Sequence, residues 1–395
     1  MAGSNGIKEY LKKKALANII YLNSLKGKKI AIDVSGVIHR AKIHSGEKWL
    51  LQFINLMHKF SNSNITPIIV FDGKPPVEKS ETIEERKKKI EKNKTKINNI
   101  MDSFGCVNDD GDFNSHKYVD TYCSLDSDDS DDSIDTFDIN MFNINMFNNS
   151  FNVNLMKINK LLKQTNSIKN KDIELCKQIC IYMGIAFIHI KSLEADYIFP
   201  ELIIQGIVYG VYSEDNDMFL LGCKRVYFGL NYNLNTIHEF IYDECLNNMN
   251  VTSDQFNNAF IAAGTWHNDN IEYCKFSETI KLMIEYNTIE NVIANLEKIN
   301  FEKTSRIIKV PKQFDFIKTR EIFSRKLSCE VIKQISNYIN NFIYIIENVK
   351  VNYKKYSQIL FDVIDTICDI NKKEFLKYKK QVKEYYKNVY DICLI

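Results

Sequence analysis

No apolar run in this 395-residue chain approaches the roughly 20 residues that span a bilayer. The start is polar and then lysine-rich, without a secretory signal. Both absences predict an intracellular protein with no membrane partner. The ten cysteines form no C-x-x-C or C…H-x-x-x-H pattern, which argues against a zinc or disulfide framework and for buried thiols in a reducing compartment. No internal repeat is evident. The formal net charge of +2 names no partner by itself; the charge is unevenly placed, and its placement is the more informative feature. A hydrophobic share of 45% suffices for a buried core. The length suits two domains or one large one with insertions.

What is present is acid at strand ends. Leu193-Glu194-Ala195-Asp196 holds two carboxylates spaced by one residue, Ser213-Glu214-Asp215-Asn216-Asp217 repeats that spacing with Asp215 and Asp217, and the apolar run Gly206–Tyr212 leads into the second pair. Asp33 follows Lys29-Ile30-Ala31-Ile32, and Asp72 follows Ile68-Ile69-Val70-Phe71. Open α/β sheets place their sites at the carboxyl ends of strands. Six carboxylates with no histidine or cysteine cluster beside them suit hard, oxygen-seeking cations such as magnesium or manganese, and such ions serve phosphodiester chemistry.

Along the chain, Met1-Ala2-Gly3-Ser4 reads either as a cloning remnant or as native sequence. An amphipathic helix is expected over Ile7 to Ile20, and strands over Lys28 to Asp33, Ile65 to Phe71, Ala186 to Ile190, Ile207 to Tyr212 and Val226 to Leu230. Helices are expected over Glu47 to Phe60, Asp172 to Met183 and Ala195 to Gln205. This alternation predicts an α/β fold with a mostly parallel sheet flanked by helices. The charged stretch after Thr82, Glu84 through Lys92, is either a solvated helix or a basic arm. Residues 101–154 carry the acidic tract Asp126 through Ser133 and an Asn-Met-Phe-rich run, read as a disordered insertion. From Ile241 onward the pattern is almost all helical.

At this point four strings, in order, resemble the flap endonuclease / XPG-type structure-specific 5′ nucleases: Ile30-Ala31-Ile32-Asp33-Val34-Ser35, Val70-Phe71-Asp72-Gly73-Lys74-Pro75-Pro76, Leu193-Glu194-Ala195-Asp196 and Ser213-Glu214-Asp215-Asn216-Asp217. Tyr182-Met183-Gly184-Ile185 is similar to the family's Leu-Met-Gly-Ile. The likeness runs from about Gly6 to Leu296, the insertion excepted, and fades after Phe323; it suggests a divergent member, with a large DNA virus as one source. The resemblance implies a PIN-like sheet with a helical arch, a divergent helix-turn-helix element and a helical C-terminal region. It divides the chain into an N-terminal nuclease region with the start of the arch at 1–100, the insertion at 101–154, an internal nuclease region at 155–240, the helix-hairpin region at 241–310 and the C-terminal region at 311–395.

The family's site implies two Mg2+ ions, with Mn2+ able to substitute, on Asp33, Asp72, Glu194, Asp196, Asp215 and Asp217. Two divalent ions about 4 Å apart activate a water and stabilise the leaving oxygen. Lys79 and Arg86 match arch residues that contact phosphate, and seven-residue spacing puts both on one helix face. Lys87, beside Arg86, is a further candidate nucleic-acid contact. His39 stands where a base-stacking tyrosine is common.

Two departures stand out. Trp266 occupies the place of the family's seventh acid, with Asp269 three residues on as a candidate substitute ligand. Tyr273-Cys274-Lys275-Phe276-Ser277-Glu278-Thr279 lacks both glycines of the duplex-binding element, although Lys275 offers a cation. No sliding-clamp motif is recognisable, and a monomer is expected. The implied function is a divalent-metal-dependent 5′ nuclease on branched or 5′-ended DNA, a flap endonuclease and exonuclease serving replication, repair or recombination in the nucleus or at a cytoplasmic viral replication site. The alternatives are an endoribonuclease acting on RNA and an inactive nucleic-acid- or protein-binding scaffold.

Overall fold

The computed structural model describes residues 6–102, 150–165, 167–302, 307–312, 314–367 and 372–390. Seven strands form one sheet: β1 (Asn18–Tyr21), β2 (Lys29–Asp33), β3 (Thr66–Phe71), β4 (Ala186–His189), β5 (Gly210–Tyr212), β6 (Arg225–Asn231) and β7 (Thr236–Ile241). Their order is β1-β7-β6-β5-β2-β3-β4. Strands β2 to β6 are parallel to their neighbours within that set, whereas β7 runs antiparallel to β6 and β1 antiparallel to β7. The chain proceeds from β2 outward through β3 and β4, then returns to β5 on the other side of β2. The β2/β5 boundary is therefore a topological switch point, where an open α/β sheet leaves a crevice at its strands' carboxyl ends.

Alternation along the central strands feeds two cores. Ile30 and Ile32 of β2 join Ile69 and Phe71 on one face, while Ala31, Ile68 and Val70 join Val211 on the other. Helices cover both faces, which is why these strands read as continuous apolar runs.

The helix expected to reach Ile20 stops at Lys13. Ala15 turns left-handed at φ 53, and Asn18–Tyr21 becomes the edge strand β1, paired with Thr236–Glu239. Tertiary pairing overrides the local helical pattern here. The expected Ala195–Gln205 helix is a 3-10 turn at Ala195–Tyr197 followed by a helix at Ile198–Ile204. The charged stretch after Thr82 belongs to a helix, Ser80–Asp102. Within the expected insertion, 103–149 lies outside the described residues, and 150–154 begins the Ser150–Thr165 helix.

The chain divides into two compact units. One comprises Met1–Ala41, Ser45–Thr82 and Ile168–Ile395; the other comprises Lys42–His44 and Ile83–Ser167. The first contains the whole sheet. In the second, Ile97 and Ile158 are buried, and the Asn93 amide donates to Gln164 Oε1 at 3.1 Å. Among the described residues no helix is long and apolar enough to cross a membrane.

The C-terminal helix Lys372–Tyr390 is tied into the core of the first unit. A helix end leaves its last four carbonyls without helical partners. For Asn170–Met183, Gly184 N–H and Ile185 N–H serve Ile181 and Cys180. The Tyr385 hydroxyl donates to the Met183 carbonyl at 2.6 Å, and the Tyr386 hydroxyl donates to that of Tyr182. The family likeness fades well before this helix, yet both tyrosines are fully packed.

His58 stacks on the Tyr385 ring with centroids 5.1 Å apart. Neither imidazole nitrogen meets a hydrogen-bond partner among the described residues. Burial pushes its pKa from 6.5 down to about 4. A histidine that stays neutral when folded but protonates when unfolded contributes fully above its unfolded pKa. That contribution is lost as pH falls from about 6.5 through 4, on the order of 3 kcal/mol in all. Thermal melts between pH 7 and pH 4 are expected to show this loss, and His58→Phe is expected to flatten it. An unchanged acid limb in the variant would refute the assignment.

Candidate active site

The acids lie at strand ends or in the segments that follow them. Asp33 ends β2 and is 8% exposed. Across the switch point, Ser213 follows β5. Its hydroxyl donates to Asp33 Oδ2 at 2.7 Å and accepts the Asp215 N–H at 2.9 Å. One serine thereby fixes acids from two strands. Asp215 Oδ1 in turn accepts the Asp217 N–H at 3.1 Å. Asp72 follows β3, and its Oδ1 accepts the Ala195 N–H at 3.0 Å, which fastens it to the loop carrying Glu194 and Asp196.

The electrostatics show that the acids converge. Burial raises the Asp33 pKa from 3.8 to about 7, and Asp72 and Asp215 add repulsion against the Ser213 hydrogen bond. Burial also raises Asp196, with Asp215, Asp72 and Asp33 repelling it and Lys79 opposing the rise. Asp217 is raised by burial and by Asp215, again against Lys79. All six expected acids thus appear in one another's fields, Glu194 by its repulsion of Asp217. Lys79 sits among them, its ammonium 2.5 Å from Glu194 Oε2 and 3.6 Å from Asp196 Oδ2.

Such a cluster carries more negative charge than one lysine offsets, and a buried like-charge group is tolerable only around cations. The donors are carboxylate oxygens alone, the set that magnesium and manganese take. In charge and donor type the residues fit such ions. Among the described residues no three His, Cys, Asp or Glu side chains yet close around one point.

Lys79 does not share a helix face with Arg86. It lies in a 3-10 turn, Val77–Lys79, before the Ser80–Asp102 helix, and only 17% of its side chain is exposed. Pro75-Pro76 cannot enter the helix, so the turn precedes it. Arg86 and Lys87 are exposed in the second unit. His39 is exposed on the Val34–Ser45 helix, and Lys275 is exposed at the start of Phe276–Tyr286. Tyr273 takes φ 62, a left-handed conformation that glycine adopts more readily; the turn keeps such a residue although the glycines are missing.

Asp269 is exposed on the turn after Trp266. Thr265 turns the chain through its N–H to the Asn268 carbonyl, at 3.1 Å, and its hydroxyl to Asn268 Oδ1, at 2.7 Å. That turn buries Asn268 and leaves Asp269 exposed. Asp269→Ala is expected to leave cleavage rate and metal affinity unchanged; a several-fold loss of metal affinity by calorimetry would return it to the site.

Sequence reasoning missed Ser213 and Glu214 as positioning groups. Glu214 Oε1 accepts the Gly229 N–H at 2.7 Å and the Tyr212 hydroxyl at 3.2 Å, and its Oε2 pairs with Lys8 at 3.3 Å. Burial works to raise the Glu214 pKa, but Lys8, the Gly229 amide and Arg40 outweigh it and hold the pKa below the ordinary value. The Ser-Glu-Asp-Asn-Asp string shows the acid but not Lys8, which is 206 residues away.

The mostly parallel sheet thus carries a group of carboxylates at its switch point. The XPG N-terminal domain matches residues 2–93 and the XPG I-region matches residues 187–265, so the chain is similar to the XPG-type nucleases in both regions. It is 24% identical over 344 residues to flap endonuclease 1-2 of Paramecium tetraurelia, covering 81% of this chain and 75% of that one. It is 24% identical over 337 residues to a probable RAD2-like endonuclease of Invertebrate iridescent virus 3, covering 80% and 87%. In fold it is similar to the Holliday junction-resolving enzyme GEN1 solved with product DNA, Mg2+ and Mn2+ ions. That match has a TM-score of 0.52 and 12% identity, over 96% of this chain and 77% of that one.

Proposed function

We propose that this chain is a structure-specific 5′ nuclease that hydrolyses phosphodiester bonds in DNA at flaps and 5′ ends, with two divalent ions as cofactor. The observation that carries the reading is that Asp33, Asp72, Glu194, Asp196, Asp215 and Asp217 act on one another, with Lys79 paired to Glu194 and Asp196. Relatives named for flap and RAD2-like endonuclease activity support it, as does a fold neighbour solved with DNA and Mg2+/Mn2+.

The six carboxylates would hold the ions, which when bound lower the pKa of water and stabilise charge on the phosphate. The chain's own contributions are positional. Ser213 keeps Asp33 and Asp215 in register, and the Ala195 amide orients Asp72. Lys79 is a point charge that an incoming phosphate oxygen can attract. Burial works to lower its pKa, but Asp196 and Glu194 outweigh desolvation, raise it and hold the ammonium charged. Arg86, Lys87, His39 and Lys275 are proposed contacts to the DNA strand, the lysines and arginine through phosphate.

The test is a side-by-side panel of 5′-flap DNA, nicked duplex, Holliday junction and single-stranded RNA under magnesium or manganese titration. Metal-dependent cleavage of flap or 5′-ended DNA is expected. RNA cut faster than flap DNA would transfer the activity to RNA. Every substrate left intact would overturn the nuclease reading.

A further inference from the structure

Lys79 has three partners, and each points to the same conclusion. Its ammonium lies 2.5 Å from Glu194 Oε2, 3.6 Å from Asp196 Oδ2 and 4.6 Å from the centroid of the Trp266 ring. It is therefore enclosed between two carboxylates and an aromatic face, the arrangement in which a partly desolvated cation–π contact is strongest. The seat is itself braced. Trp266 packs on Phe323 at 6.2 Å between centroids, and the Thr82 hydroxyl donates to the Trp266 carbonyl at 3.5 Å. Glu78, next to Lys79 in the same turn, pairs with Arg325 beyond the Phe316–Phe323 helix. The turn carrying Lys79 is thus fastened on both sides.

We propose that Lys79 is a built-in cation that competes with a divalent ion for Glu194 and Asp196, and that Trp266 is the seat retaining it there. This rests on the metal-dependent nuclease reading above. The competition is steric and electrostatic. A magnesium-sized ion must approach carboxylate oxygens to about 2.1 Å, and an ammonium in contact with those oxygens repels a second positive charge a few ångström away. In the free protein one divalent ion binds readily among Asp33, Asp72, Asp215 and their neighbours. The other ion enters once Lys79 has left Glu194 and Asp196. A phosphodiester oxygen is a suitable partner to draw the ammonium away, so substrate arrival and completion of the metal site are coupled.

The experiment measures metal stoichiometry, not cleavage. Mn2+ is titrated into the full chain without DNA and followed by calorimetry and electron paramagnetic resonance. The wild type is expected to bind one Mn2+ tightly and give the spectrum of an isolated ion. Lys79→Met is expected to bind two, with the spin coupling of adjacent ions and about a tenfold gain in affinity for the added ion. Lys79→Arg, which keeps the charge, should remain a one-ion protein. Trp266→Ala should move toward Lys79→Met, and Trp266→Phe should not. Circular dichroism checks that each variant is folded. Two coupled ions in the wild type, unchanged in Lys79→Met, overturn this proposal and leave the nuclease reading standing. No Mn2+ bound to either protein overturns both.

Discussion

Asp217→Asn is expected to lower cleavage of a 5′-flap substrate on the order of a thousandfold while making the metal-free protein more stable. The two effects have one cause. Asp217 is 6% exposed, and burial together with Asp215 raises its pKa even though Lys79 lies near. A carboxylate whose ionisation the fold opposes takes stability from the native state at neutral pH. Asparagine keeps the shape and removes the charge. In chelator the variant's Tm should exceed that of the wild type by about 2 °C or more. Excess magnesium should reverse the order, because an ion that binds only the native site raises Tm by mass action, and the variant binds it less well. Melting curves with and without magnesium, beside initial rates, measure all of this. A variant less stable than the wild type in chelator would mean that Asp217 has a structural role, and the site would have to be redrawn.

The acids were legible in the sequence because strand-terminal position is a local property: an apolar run of strand length followed by Asp or Glu states where the carboxylate must point. Their mutual placement was not local. That Ser213 bridges Asp33 and Asp215 depends on β2 and β5 being neighbours across the switch point. Only the resemblance brought the six together beforehand. Lys79 was singled out, but its local setting differs from the expected one. Seven-residue spacing from Arg86 implied a shared helix face, whereas Pro75-Pro76 delays the helix and the 3-10 turn carries Lys79 toward Glu194. Trp266 was read as a missing acid, and its ring over the Lys79 ammonium left no sequence signature, since cation–π partners need no fixed separation. The edge strand β1 was hidden for a similar reason. Asn18–Tyr21 continues the apolar pattern of the preceding helix, and a non-glycine residue, Ala15, makes the left-handed break.

Gly73→Ala should be the most damaging single-methyl change near the site. Gly73 follows Asp72 where two loops cross at backbone distance. Its N–H donates to the Leu193 carbonyl at 2.9 Å, and the Lys74 N–H donates to that of Lys191 at 2.8 Å. A Cβ at Gly73 would lie 2.0 Å from the Ile190 oxygen, 2.5 Å from the Leu193 oxygen and 2.8 Å from the Lys191 carbonyl carbon. All three are backbone atoms, so no flexible side chain can swing aside. The two loops must separate, and the separation is felt first by the Ala195 amide that orients Asp72. Overpacking of this kind typically costs about 1–3 kcal/mol. A displacement near 1 Å at a reacting group costs roughly a hundredfold in rate. The variant is therefore expected to melt several degrees lower and, at a temperature where it stays folded, to cleave about a hundredfold more slowly. Gly36→Ala is the control. Gly36 is exposed on the Val34–Ser45 helix, and an added Cβ there meets only Asp33 Oδ2, at 3.9 Å. Alanine in a helix gains roughly 0.5–1 kcal/mol over glycine, so that variant should be at least as stable as the wild type and should cleave normally. If Gly73→Ala retains wild-type melting and wild-type rate, the close crossing of the Asp72 and Glu194 loops is not what holds these acids together.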